Sequence, residues 1–144
     1  MKSSASYTVE SRVGRLVEAR IEALRSEAEA TAYSQLLGTV VAAVPATKRA
    51  ILCADHRQVK IYGKPVSDRL AELFALMNTR LERVAIVVAP SNAILAMQLT
   101  RIAREAGLDS RRVFVDAPEA KAFLNDALDA AERHRLDVFL GFAA

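Results

Sequence analysis

The chain has 144 residues, 52% of them apolar and 26% charged, with a formal net charge of +3 and a pI near 9.3. That balance belongs to one globular domain, 1–144, with a real core, because a chain of ~150 residues buries roughly 70% of its unfolded surface. It excludes a membrane span, which needs roughly 20 consecutive apolar residues, and the N-terminal MKSSASYTVESRVGRL lacks the apolar centre of a signal peptide, so a cytoplasmic protein is expected.

The one cysteine, Cys53, permits no disulfide within the chain and suits a reducing compartment. It lies inside an apolar run, where a small buried hydrophobe is the expected role. The arginines are dispersed among acids, apart from Arg111–Arg112 and Arg133–His134–Arg135, and there is no tryptophan. Nucleic-acid binders gather charge on one face and interleave it with aromatics, so no nucleic-acid partner is expected.

In chain order, Tyr7, Val9, Ser11 and Val13 alternate with their neighbours until Gly14–Arg15 breaks the run. Val17, Ala19 and Ile21 then alternate with Glu18, Arg20 and Glu22, which predicts a β-hairpin of two half-exposed strands. A helix competes for the second of these, since VEARIEALRSEAEA has good helical propensity. Ser26 with Glu29 makes a capping box for the next helix, whose stripe is Tyr33, Leu37, Val40 and Val44. Gly38 inside it suggests a close backbone approach, and Pro45 ends it.

Two all-apolar runs follow, AILCAD and VAIVVA, predicting strands over 50–54 and 84–89. They lack inside/outside alternation, as strands do when a mostly parallel sheet is covered on both faces. Between them, 55–64 reads as a polar loop, and Pro65 suits the first position of a helix over 65–80 with Val66, Leu70, Leu73, Phe74 and Met77 on its buried face. After the second run, Ser91 is the expected N-cap of a helix with Leu95, Leu99, Ile102 and Ala106 inward and Gly107 as a left-handed C-cap. A further strand over 112–115 ends at Asp116, which with Glu119 forms another capping box. Asp129 and Glu132 repeat that pattern and start a last helix carrying Leu136, Phe139, Leu140 and Phe142.

The expected architecture is therefore α/β: a five-stranded mixed sheet, an N-terminal antiparallel hairpin followed by parallel strands, in the order ββαβαβαβα with an extra C-terminal helix over 129–144. This order, and the stretch RRVFVDAPEAKAFLNDAL in particular, resembles the STAS superfamily, the sulfate-transporter and anti-sigma-factor-antagonist domains, in its stand-alone bacterial branch. The resemblance spans 7–128. It implies a right-handed βα superhelix, agreeing with the crossover rule for parallel strands. It also implies a non-enzymatic regulatory module that works by protein–protein contact. Regulatory members carry a phosphorylatable Ser or Thr within Asp-Ser-x-Gly at the start of the helix after the third strand. Here that region reads IYGKPVSDRL, so the motif is absent and Ser67 is the one hydroxyl near the helix start.

In open α/β sheets ligands bind beyond the carboxyl ends of the strands. Those ends carry Asp55, His56, Arg57, Ser91, Asn92 and Asp116, which could bind an anion, relay a proton or meet a partner. No Gly-x-Ser-x-Gly elbow, glycine-rich phosphate loop or metal-ligand spacing occurs, so no catalytic residue, cofactor or metal is expected. Two other readings stay open: a module binding a small ligand, lipid or nucleotide, and an enzyme acting at the strand-end rim. The apolar stripe of the last helix exceeds what a five-strand core needs, which predicts a homodimer with that helix in the interface.

Overall fold

A computed structural model describes residues 6–45 and 48–144; Met1–Ala5, where the leader reading begins, and Ala46–Thr47 lie outside the described residues. Strands β1 (Tyr7–Val13) and β2 (Leu16–Ile21) form the expected hairpin, followed by α1 (Glu27–Ala42), β3 (Ala50–Asp55) and α2 (Lys64–Leu76). Then come β4 (Leu81–Val87), α3 (Ala93–Ala106), β5 (Arg111–Phe114), α4 (Ala117–Asn125) and α5 (Ala130–Leu140). The sheet order is β1-β2-β3-β4-β5, antiparallel between β1 and β2 and parallel from there on. The α/β fold with a five-stranded mixed sheet is thus as the sequence predicts.

Strand order that follows chain order fixes the layers. Three successive crossovers of one hand put α1, α2 and α3 on the same face. There Tyr33, Leu37, Leu70, Phe74, Leu99 and Ile102 pack on Val17, Ala19, Ile21, Leu52, Val84 and Ile86. The opposite face, made by Leu16, Ile51, Cys53, Ala85 and Val87, is covered by Ala120, Leu124 and Leu128 from α4 and its end, and by Leu136, Phe139 and Leu140 from α5. Coverage on both sides explains why β3 and β4 read as unbroken apolar runs.

That second layer corrects the homodimer argument. Leu136, Phe139 and Leu140 are buried within the chain, and of the expected stripe Phe142 alone is exposed. The last helix covers its own sheet, so its stripe is not free for a second copy. Its anchoring is extensive. The capping box at Asp129 and Glu132 is complete, and Glu132 Oε2 also accepts from the Arg15 backbone N–H at 2.7 Å. That contact explains Gly14, which has a φ of +57° and leaves no room for a side chain, since an added Cβ would lie 2.2 Å from Glu132 Oε2. Further along, Arg135 donates to both carboxylate oxygens of the buried Glu18 on β2, at 2.7 and 3.0 Å.

Other departures have local causes. β2 is buried rather than half-exposed, because it is an interior strand and its polar residues are taken up by α5. β4 begins at Leu81, three residues before the expected start of that strand, and ends at Val87. Ser26 caps α1, but the Glu29 carboxylate returns to the Arg25 N–H rather than to that of Ser26. Gly38 has nothing within 4 Å of an added Cβ, so no close approach occurs there. Val113 is partly exposed because β5 is the edge strand.

Candidate functional site

At the carboxyl end of the sheet, Asp55 terminates β3 and Arg20 lies near the end of the neighbouring β2. The Asp55 carboxylate accepts from Arg57 Nε (2.9 Å), Arg57 Nη2 (3.0 Å), the Arg57 backbone N–H (3.0 Å) and Arg20 Nε (3.2 Å). The same two guanidinium groups reach the end of α5: Arg20 Nη2 donates to the Phe139 carbonyl at 2.7 Å and Arg57 Nη1 to the Leu140 carbonyl at 3.2 Å. Arg20 also lies over the Phe139 ring, 4.5 Å from its centroid. Cations on the last carbonyls of a helix satisfy orphan acceptors and complement the negative end of its dipole.

Burial raises the affinity of Asp55 for a proton, but hydrogen bonds and charge from Arg57, and then from Arg20, outweigh it and hold the carboxyl below its ordinary range. Asp55 is therefore a fixed anion whose acceptor sites are occupied by the fold itself. His56 is 2% exposed, and burial pulls its pKa down to about 4. Its Nδ1 lies 3.5 Å from the Ala54 carbonyl, and its ring meets Tyr62 edge-on at 5.9 Å. A neutral, enclosed imidazole of this kind packs; it does not exchange protons with a bound molecule near neutral pH.

The remaining rim residues do not join this cluster. Asn92, not the adjacent exposed Ser91, is the N-cap of α3: its Oδ1 accepts from the Leu95 N–H at 3.1 Å. Its Nδ2 donates to the carbonyls of Val59 (3.2 Å) and Lys60 (2.8 Å), and Gln98 exchanges two hydrogen bonds with the Tyr62 backbone. Together they tie the 56–63 loop down onto α3. Asp116 occupies the N-cap position of α4 but its side chain makes no capping bond, so the expected second capping box is absent. Ser67 is half-buried in the first turn of α2. None of Asp55, His56, Arg57, Ser91, Asn92, Asp116 and Ser67 lines any of the larger clefts. Among the described residues no group of three or more His, Cys, Asp or Glu side chains is placed to hold a metal ion.

No family model, no curated protein and no solved structure matches this chain. The larger clefts lie away from the rim.

Three shallow clefts, of about 390, 520 and 470 Å³, run along the free edge of β5 between α3 and α4. The cations there have unequal surroundings. Arg83 pairs with Asp126 and Arg101 with Glu105. Arg112 lies over the Phe123 ring at 5.1 Å, and among the described residues neither it nor Arg104 has a carboxylate within salt-bridge distance. Asp109 and Glu119 also line the clefts. Apolar side chains flank the edge: Met97 is 73% and Val115 43% exposed. Sequence reasoning missed this region because β5 becomes an edge only through the strand order.

Arg111, next to Arg112, points the other way, as consecutive strand residues must. It is 5% exposed and donates to Asn78 Oδ1 (2.9 Å) and the Phe74 carbonyl (3.1 Å), and burial lowers its pKa to about 10. With Tyr33 it borders an enclosed interior cavity of about 10 Å³. That volume suits about one water molecule. It is far below what a lipid chain or a nucleotide needs.

Proposed function

We propose that this chain is a non-enzymatic protein-interaction module of the regulatory kind implied by its STAS resemblance, acting in the cytoplasm. One contrast supports the reading. The charged rim residues are satisfied by one another and by the end of α5, whereas beside β5 Arg104 and Arg112 have no carboxylate partner among the described residues and Met97 and Val115 are exposed. Enzymes usually keep a nucleophile, base or acid within reach of a cleft. Here the titratable rim groups are a carboxylate locked between two guanidinium groups and a histidine sealed in the core.

Affinity capture from the source cell with the tagged full chain tests the reading, alongside a native mass spectrum of the purified protein. A specific protein retained by the wild type and by Asp55→Asn, with a mass spectrum of the bare chain, is the expected result. A stoichiometric lipid or nucleotide in that spectrum would establish the ligand-binding alternative. Turnover abolished by Asp55→Asn or His56→Asn would establish the enzyme. Sedimentation at micromolar concentration addresses the homodimer separately, and the internal packing of α5 favours a monomer.

A further inference from the structure

We infer that residues 58–62 form a strap that opens as a unit while the rest of the domain stays folded, gating the carboxyl end of β3 at His56. The inference goes beyond the interaction reading and does not depend on which partner the chain takes.

Both ends of the strap are anchored and its middle is not. At one end the Arg57 N–H and guanidinium sit on the Asp55 carboxylate; at the other the Gly63 carbonyl accepts from the Ser67 N–H of α2 at 2.9 Å. Between them Val59 alone donates its N–H to another backbone group, the His56 carbonyl at 3.0 Å. The remaining ties come from two side chains, Asn92 at the start of α3 and Gln98 within it. Asn92 Nδ2 holds the Val59 and Lys60 carbonyls, while Gln98 accepts from the Tyr62 N–H at 3.0 Å and donates to the Tyr62 carbonyl at 2.7 Å. A segment with so few backbone bonds of its own, clasped to a single neighbour, is the kind that opens below the global unfolding free energy.

The side chains beneath the strap act in opposite directions. Val59 and Tyr62 are buried, and the Tyr62 ring meets His56 edge-on, so apolar burial holds the strap shut. The Tyr62 hydroxyl opposes closure: it is buried and, among the described residues, has no hydrogen-bond partner. A buried hydroxyl left unpaired is penalised, and opening returns it to water. Opening also uncovers His56, the one member of the Asp55–His56–Arg57 run that takes no part in the tie between Asp55, Arg20, Arg57 and α5. It does so where open α/β sheets take their ligands, while that tie stays in place.

Native-state amide hydrogen exchange with the full chain in sub-denaturing urea tests the strap. The Val59 N–H should exchange at least a hundredfold faster than that of Leu52 in the sheet, with almost no dependence on urea, because local opening exposes little surface. Arg135→Ala breaks a contact that the open strap leaves intact, so it should speed Leu52 at least tenfold and leave Val59 unchanged. Gln98→Ala should speed Val59 at least tenfold, although Gln98 makes no bond to it. Tyr62→Phe, which keeps the ring and removes the unpaired hydroxyl, should slow Val59 at least threefold. If Val59 matches Leu52 in rate and urea slope, or follows it in Arg135→Ala, the strap opens only with the whole domain and the inference falls. A response to Gln98→Ala confined to the Tyr62 amide would overturn opening as a unit. Faster exchange in Tyr62→Phe would show that the hydroxyl holds the strap shut and would overturn the opposition drawn above.

Discussion

The strand-end rim and the β5 edge are both rich in arginine, and they differ in what those arginines do. At the rim, Arg20 and Arg57 share one carboxylate and cap the last carbonyls of α5, so each charge is answered inside the chain. At the edge, Arg104 and Arg112 have no carboxylate partner among the described residues, and Arg112 lies over the Phe123 ring instead. A cluster of Asp, His and Arg at the position where α/β folds bind ligands is therefore no sufficient sign of chemistry. The telling feature is unsatisfied capacity: donors, charge and apolar area that the fold itself leaves open.

The contrast fails first if α5 is dispensable. Deleting residues 134–144 removes Leu136, Phe139 and Leu140 and uncovers Ile51, Cys53, Ala85 and Val87. The expected product has no cooperative thermal transition by circular dichroism. A well-folded truncated chain would show that the second layer is an accessory after all.

Next in size is the tie between Glu18 and Arg135. Removing one partner of a fully buried pair costs about 3–5 kcal/mol, but the Arg135 side chain is 23% exposed, so solvent moderates the loss. Arg135→Ala should therefore lower the unfolding free energy by about 2 kcal/mol, read from urea denaturation. A midpoint equal to wild type would remove this anchor from the account.

A pH dependence of similar size comes from His56. Its folded pKa of about 4 lies below the ordinary 6.5, so as pH falls the unfolded chain takes up the proton first. The contribution is fully present above about pH 6.5 and is lost as pH falls toward 4, up to about 3 kcal/mol at 1.36 kcal/mol per unit. Asp55, with its carboxyl held low, adds a loss in the same direction at still lower pH. Denaturant titrations at pH 7.5 and 4.5 should show a smaller difference for His56→Phe than for wild type. An equal difference would mean that the imidazole is not sealed.

How much of this was legible in the sequence follows from which signals are local. β3 and β4 are readable because coverage on both faces imposes an apolar run on a single segment. The complete capping box of α5 is readable because its two partners stand three residues apart. The rim tie is not, since Asp55 meets Arg20 at a separation of 35 residues and Arg57 meets the Leu140 carbonyl at 83. Asp55, His56 and Arg57 were visible as candidates, but nothing nearby in the chain shows that Arg20 shares the Asp55 carboxylate or that Arg57 reaches the end of α5. Val113 carries the same ambiguity: RVFV looks alike in a central strand and in an edge strand, and only the order of strands separates the two. Ser91 and Asn92 are equally good capping residues, and tertiary contacts with Val59 and Lys60 favour Asn92.

The smallest effects sharpen the contrast by being near zero. Asp116→Ala removes no capping bond and should shift stability by less than about 0.5 kcal/mol, the range of ordinary surface changes. Gly38→Ala, with open space around its Cβ, should stabilise by about 0.5–1 kcal/mol through helix propensity. A clear loss in either case, by urea denaturation, would reveal a contact absent from this structure.

Amide hydrogen exchange resolved along β5 and the rim tests the central contrast most directly. In the free protein the Val113 N–H should exchange fast while those of Arg112 and Phe114, turned toward β4, exchange slowly. The Arg57 N–H, held on the Asp55 carboxylate at 3.0 Å, should exchange slowly as well. A Val113 amide as protected as those of Arg112 and Phe114, or a fast-exchanging Arg57 amide, would contradict the account.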